Sequence, residues 1–330
     1  MFKLGDQVVS SGWQPELDAG KHWRAKLGFI LMSTDLAAES DFFAMAPEGV
    51  AVHITRLKTD DYTTNETLAR HIEAMADAAS RIQPDTKPNV ISYSCTSGSI
   101  VIGEERIMAE IKKGAPYAQP MTLVTGVIDA LRELNAKKIV VGTPYLDEVN
   151  TAEAEFLVNK GFEVLDIQGL NLATGTEMGR VTPAYWKRFA LEIDCADADA
   201  IFLSCGGIRS AEVAQEIEAA VGKPVITSNQ AQMWSCLRRA GITDEELQRI
   251  VEGPDASGWT RWDAALLRAA DELHADALVS DATWRALAER YDQRQLMETV
   301  FTVGQYNLVA MYLNSLGVQF EDGFEGFPVP

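Results

Sequence analysis

The sequence predicts an α/β protein built on parallel sheets and closed by an all-α C-terminal module, and three observations carry that prediction. From residue 26 to 240, short apolar and β-branched runs alternate with segments of helical spacing, the pattern of parallel sheets covered on both faces. Two of the runs, Ile91-Ser92-Tyr93-Ser94 and Ile201-Phe202-Leu203-Ser204, end in a cysteine, Cys95 and Cys205, followed by small residues able to open a helix. From Gly241 onward no strand pattern recurs.

Taken in order, residues 26–32 (KLGFILM) read as a first buried strand. Ser33-Thr34-Asp35 follows as a turn or N-cap for a helix over 36–43. Residues 50–56 have strand composition, and 65–82 have helical spacing, with Leu68, Ile72, Met75 and Ala79 on one stripe and His71 on the helix surface. Pro88 breaks the chain before the strand 89–94, which delivers Cys95. A helix over 103–112 stops at Gly114-Ala115-Pro116, a crossover between lobes, and 122–134 is again helical. The strand 138–142 leads into the polar loop Thr143-Pro144-Tyr145-Leu146-Asp147-Glu148-Val149-Asn150, where Tyr145 and Asn150 serve either a ligand or the turn itself. Then come a helix over 151–159, a strand over 163–167, a helix opening at Thr182-Pro183, and the strand 200–204 that brings up Cys205. A helix over 210–221, a strand over 223–227, and a helix over 230–240 capped by Ser228-Asn229 complete the alternation. In the last segment Thr243-Asp244-Glu245-Glu246 forms a capping-box pattern, Ser280-Asp281 a second N-cap, and Gly317 a stop. Its many acidic residues read as a solvated face.

The totals exclude several functions. With 48 acidic against 29 basic residues and a net charge of −19, the chain is a poor partner for nucleic acid or an anionic membrane surface. No stretch reaches the ~20 apolar residues of a membrane span, and no basic start with an apolar run opens the chain. Four cysteines without a CxxC predict reduced thiols in the cytoplasm. The four histidines, His22, His53, His71 and His274, lack ligand spacing and there is no HExxH, so no metal site is expected.

One cysteine at a strand end is more often a small buried hydrophobe than a nucleophile. Two at matching corners, out of four in the chain, point instead to paired thiols facing one carboxylate, with Cys195 and Cys236 structural. A thiol at a helix start has a lowered pKa. One as thiolate and the other as thiol would supply a base and an acid on opposite faces of a bound carbon.

Residues 26–240 resemble the aspartate/glutamate racemase superfamily, in the branch of maleate cis-trans isomerase, arylmalonate decarboxylase and the ectoine-utilisation protein EutA. The residues that carry the likeness are Cys95-Thr96-Ser97-Gly98, Thr143-Pro144-Tyr145 with Asn150, Ser204-Cys205, and Pro224-Val225-Ile226-Thr227-Ser228-Asn229-Gln230-Ala231. Gly28-Phe29, Thr34-Asp35-Leu36, Glu39, Asp41 and Val52-His53-Ile54-Thr55-Arg56 favour the EutA type. The resemblance implies two Rossmann-like lobes related by a pseudo-two-fold, residues 1–120 rejoined by 221–240 and residues 121–220, with 241–330 as the helical module. It also implies a small carboxylate substrate in the cleft and no cofactor. Catalysis falls to Cys95 and Cys205, and substrate binding to Thr34, Thr96, Ser97, Tyr145, Asn150, Gly206 and Gly207. Arg209 either meets a second carboxylate or covers a helix start. At the first loop, Met32-Ser33-Thr34-Asp35 stands where maleate isomerases usually offer Pro and Asn.

The implied activity is a cofactor-independent isomerase or racemase. The alternatives are a malonate-type decarboxylase with Cys205 as proton donor, and a non-catalytic carboxylate-binding or regulatory protein. The C-terminal residues Trp262-Asp263-Ala264-Ala265-Leu266-Leu267, Asp271-Glu272-Leu273-His274, Ser280-Asp281-Ala282-Thr283-Trp284 and Phe301-Thr302-Val303-Gly304-Gln305-Tyr306-Asn307 resemble the later half of carboxymuconolactone decarboxylase-like (AhpD-like) proteins. Without that family's earlier half or a CxxC pair, the module is expected to serve packing or homo-oligomerisation, with His274 at an interface.

Overall fold

The computed structural model describes residues 12–17, 20, 22–47, 49–242 and 253–315, the last ten without side chains. A parallel strand covered on both faces must be apolar along its length, and β1 (Ala25–Met32) is buried at every position but one. It pairs in parallel with β2 (Val50–Leu57) and β3 (Val90–Tyr93), and β4 (Gln119–Thr122) completes a sheet ordered β2-β1-β3-β4. The second sheet repeats the plan. There β5 (Lys138–Thr143) lies between β6 (Glu163–Gly169) and β7 (Ala200–Leu203), with β8 (Val225–Thr227) outside β7, in the order β6-β5-β7-β8. The two cysteines therefore follow corresponding strands, β3 and β7.

Three expectations need correction. Residues 119–122, expected to lie beyond a crossover, form the edge strand β4, where Pro120 is tolerated because an edge position can lack an N–H. The segment 221–240 does not rejoin the first lobe as a unit, because β8 pairs with β7 and only the helix Ser228–Arg239 returns. The helix expected over 65–82 is broken into Asn65–Ala69, a 3₁₀ segment Arg70–Ala74 and Met75–Ser80. A 3₁₀ turn advances 120° per residue rather than 100°, so the face changes, and His71 is buried instead of lying on the surface.

The lobes are joined by an exchange of helices. Helix Leu123–Glu133 leaves the first sheet and buries Leu123, Val127 and Leu131 against Ile139, Val141 and Phe202 of the second. Helix Ser228–Arg239 leaves the second sheet and buries Met233 and Cys236 against Leu27, Phe29 and Val90 of the first. The two helices meet at Gly126, where an added Cβ would lie 2.8 Å from the Ala231 carbonyl oxygen and 2.9 Å from Gln232 Cα. Backbone cannot yield as a flexible side chain can, so Gly126→Ala should destabilise by about 1–3 kcal/mol. A thermal midpoint equal to that of the parent would contradict this close approach.

The helices Arg261–Asp276, Asp281–Ala288 and Gln293–Ser315 build a small core of their own around Ala265, Ala269, Leu287 and Leu296. Thr260 and Ser280 cap the first two, accepting from the Asp263 and Thr283 amides. The expected capping box at 243–246 and the stop at Gly317 lie outside the described residues. Among the described residues no helix is long and apolar enough to cross a membrane.

Candidate active site

The two cysteine corners face one cavity but are held differently. Cys95 is the N-cap of helix Thr96–Ile102, in extended backbone at φ −142°. Its Sγ accepts from the Gly98 amide at 3.3 Å and lies 3.6 Å from the Ser97 hydroxyl. Cys205 sits at φ +137°, a region that costs a residue with a side chain about 1–3 kcal/mol. Its Sγ accepts from the Gly207 amide at 3.3 Å, and the next helical turn, Ala211–Val213, begins only six residues on. The reading that both thiols open helices is thus corrected for Cys205.

Strain of this kind persists only where the surroundings impose it, and here the imposing group is the start of helix Ser228–Arg239. The Ser228 hydroxyl accepts from the Cys205 amide at 3.0 Å and shares a 3.0 Å hydrogen bond with the Thr96 hydroxyl, tying the two corners together. Asn229 donates to the Gly206 carbonyl at 2.9 Å and to Asp41 at 2.7 Å. Gln232 donates to the Ser92 and Ser94 hydroxyls at 2.6 and 2.9 Å. Ser228 and Asn229, read as caps, therefore act as cross-braces, and the N-cap is Thr227, whose hydroxyl donates to the Gln230 side chain at 2.7 Å instead of accepting from a helix amide.

The cavity is narrow, with about 550 Å³ of non-atom space once its open mouth is included. Thr34, Cys95, Ser97, Tyr145, Cys205, Gly206 and Gly207 all line it. Thr96, Asn150 and Arg209 do not, and for each the reason is a prior partner. Thr96 is wholly buried, with its hydroxyl bound to Ser228. Asn150 accepts from the Thr143 hydroxyl at 2.5 Å and donates to the Tyr145 carbonyl at 3.3 Å, so it shapes the loop that presents Tyr145. Arg209 is a surface residue that donates twice to Glu212, at 2.7 and 3.0 Å.

Electrostatics also reverse an expectation. Burial pushes the Cys95 thiol up despite the Gly98 amide, and pushes Cys205 up to about 12, with Cys95 and Asp35 adding to the rise and Tyr145 opposing it. Desolvation of the charged form outweighs the donors. Behind each thiol stands a buried tyrosine and a second titratable group that the sequence did not single out. Tyr93, beside Cys95, shares a 2.7 Å hydrogen bond with His71 Nδ1, and burial lowers His71 to about 4, which keeps it neutral. Tyr145, beside Cys205, has a buried hydroxyl with no partner in hydrogen-bond geometry. Near it lies Glu153, wholly buried and pushed up to about 7 by desolvation. The Ser204 hydroxyl faces Glu153 and holds that rise back, without reaching hydrogen-bond geometry. Among the described residues no group of three or more His, Cys, Asp or Glu could hold a metal ion.

Known proteins match this arrangement. The family model for arylmalonate decarboxylase matches residues 38–249, which span both cysteines and end before the helix Arg261–Asp276. A maleate isomerase from Pseudomonas putida is 24% identical over 246 residues, covering 70% of this chain and 96% of its own. The arylmalonate decarboxylase of Bordetella bronchiseptica is 30% identical over 174 residues, covering 52% of this chain and 72% of its own. A maleate cis-trans isomerase from Nocardia farcinica, solved as a cysteine-to-serine mutant with a covalently bound succinylcysteine intermediate, has the same fold. It gives a TM-score of 0.60 at 21% identity, covering 66% of this chain and 93% of that one. With most of both lobes inside the matched region, the chain belongs to the arylmalonate decarboxylase family, which also takes in the maleate isomerases.

Proposed function

We propose that the protein is a cofactor-independent isomerase or racemase acting at the carbon beside a small carboxylate, with Cys95 as base or nucleophile and Cys205 as the opposing acid. The observation that carries this reading is the convergence of two thiols, from corresponding strand ends, on one cavity together with a buried tyrosine hydroxyl. A carbon acid beside a carboxylate loses its proton only where donors meet the charge that grows on the enediolate oxygens. Ser97, Tyr145 and the Gly206 amide line the cavity and are the donors this reading uses.

The groups behind the thiols divide the labour. Tyr93, held by His71, donates to Cys95 as the thiolate that removes the substrate proton or adds to a double bond. On the other side burial keeps Cys205 in the thiol form that delivers a proton, and Glu153, protonated to about pH 7, lies near Tyr145. After one inversion Cys95 carries the proton taken from the substrate and Cys205 is the thiolate; turnover in the reverse direction, or exchange of both sulfurs with solvent, restores the start. The succinylcysteine of the Nocardia relative is a precedent for covalent addition by a cysteine. Decarboxylation needs a single proton donor, so a second thiol in the cavity favours isomerisation.

Proton NMR in deuterated water with a panel of small carboxylates tests the reading. Deuterium entering the carbon beside the carboxylate, with inversion or cis-trans conversion and no loss of carbon dioxide, is the expected result. Carbon dioxide release from a substituted malonate, with no exchange into any other carboxylate, would assign a decarboxylase instead.

A further inference from the structure

The cavity is built for one negative charge, not two. Its thiol end offers neutral donors for a carboxylate, among them the Tyr145 hydroxyl, buried beside the Cys205 thiol. Asp35 and Asp60 also line the cavity, and among the described residues no lysine or arginine does. Asp35 is 8% exposed; its Oδ1 accepts from the Ala37 and Ala38 amides at 2.9 and 2.8 Å, and among the described residues no hydrogen bond reaches Oδ2. The nearest cations are committed elsewhere. Arg56 donates to the Met32 and Asp35 carbonyls and to Glu39, and Arg70 pairs with Glu66 and, at 3.7 Å, with Asp60.

We propose that the substrate is a monocarboxylate bearing a positively charged nitrogen, an ammonium or amidinium, and that Asp35 Oδ2 receives that cation while Tyr145 and the thiol-side donors hold the carboxylate. This rests on the active-site reading above and narrows its substrate class. A dicarboxylate would set its second charge against Asp35, whereas a zwitterion sets its cation there and leaves one carboxylate for the neutral donors. Burial lifts the Asp35 pKa to about 6, so at neutral pH the group is mostly ionised and gains from a cation beside it. The cation would also help the chemistry, because Asp35 opposes ionisation of both thiols and a positive group against it removes that opposition.

The test uses succinate and 4-aminobutanoate, matched in length and differing by exchange of one carboxylate for an aminomethyl cation. The readout is protection of the protein from thermal unfolding at pH 8, followed as the rise in melting midpoint with probe concentration. A hydrogen-bonded charge pair predicts protection by 4-aminobutanoate at a concentration about tenfold or more below that of succinate. Asp35→Asn keeps an oxygen for the Ala37 and Ala38 amides and should abolish that preference. Equal protection by the two probes, protection by neither, or an unchanged preference in Asp35→Asn would overturn the proposal. Because the readout is binding, it does not depend on turnover. Failure of the two-thiol mechanism would show instead as full activity without either cysteine.

Discussion

Cys205→Ala should lower isomerisation or racemisation by about 10²–10⁴-fold, the range expected for loss of a positioned proton donor. Cys95→Ala should fall as far, and the double variant little further, because groups that act in one step are not additive. Undiminished reaction in both single variants would end the two-thiol reading. A second substitution separates chemistry from backbone. Cys205 holds φ +137° under the grip of Ser228, and alanine inherits that strain while glycine does not. Cys205→Gly should therefore be as inactive as Cys205→Ala yet more stable by about 1 kcal/mol or more, read from denaturant midpoints. A glycine variant no more stable than alanine would show that the backbone at 205 is relaxed. The strain makes sense as a device for aiming, since it turns the sulfur toward the Gly207 amide and the cavity instead of into the core behind β7.

Much of this frame was legible because it rests on local pattern. Uninterrupted apolar runs announced β1, β3, β5 and β7, and the two Ser-Cys endings placed the thiols at matching strand ends. What stayed hidden depends on contacts between distant residues. Thr96 looked like a ligand contact until the structure set it against Ser228, 132 positions away. Asn150 and Arg209 have the right chemistry for a substrate, but Thr143 and Glu212 use it first. The spacing of Leu68, Ile72, Met75 and Ala79 fits an unbroken helix, so nothing in it announced the 3₁₀ segment that turns His71 inward. β4 was lost because four residues beginning Gln-Pro do not read as a strand. Asp35 was visible as a turn former, and it does bind two amides, but the same side chain also faces the cavity.

Glu153 was the least visible, as one of four acidic residues in helix Asp147–Asn159, yet it predicts a large effect on stability. Burial raises its pKa from an ordinary 4.5 to about 7 in the folded state, so it stays protonated there while the unfolded chain has already released its proton. The sign follows from linkage. Below pH 4.5 both states hold the proton and stability is unaffected; between 4.5 and about 7 the folded state binds more protons, so stability falls as pH rises; above about 7 the loss is complete. Its full size is on the order of 3 kcal/mol, one pKa unit being about 1.4. Glu153→Gln cannot titrate, so its unfolding free energy relative to the parent should climb across that window and then level off. Denaturant series at pH 4.5, 6 and 8 would show it, and parallel pH dependence in the two proteins would mean that Glu153 is ionised and partnered in the fold. The same window bears on catalysis, because the parent gains a buried negative charge near Tyr145 as pH passes about 7. Turnover in the parent should fall on that alkaline limb, while Glu153→Gln, retaining a neutral group at every pH, should lack the limb. A destabilising carboxylic acid sealed behind a thiol has a functional reason only if its neutrality matters to the reaction, and coincidence of the stability and activity transitions in the parent is the signature of that link.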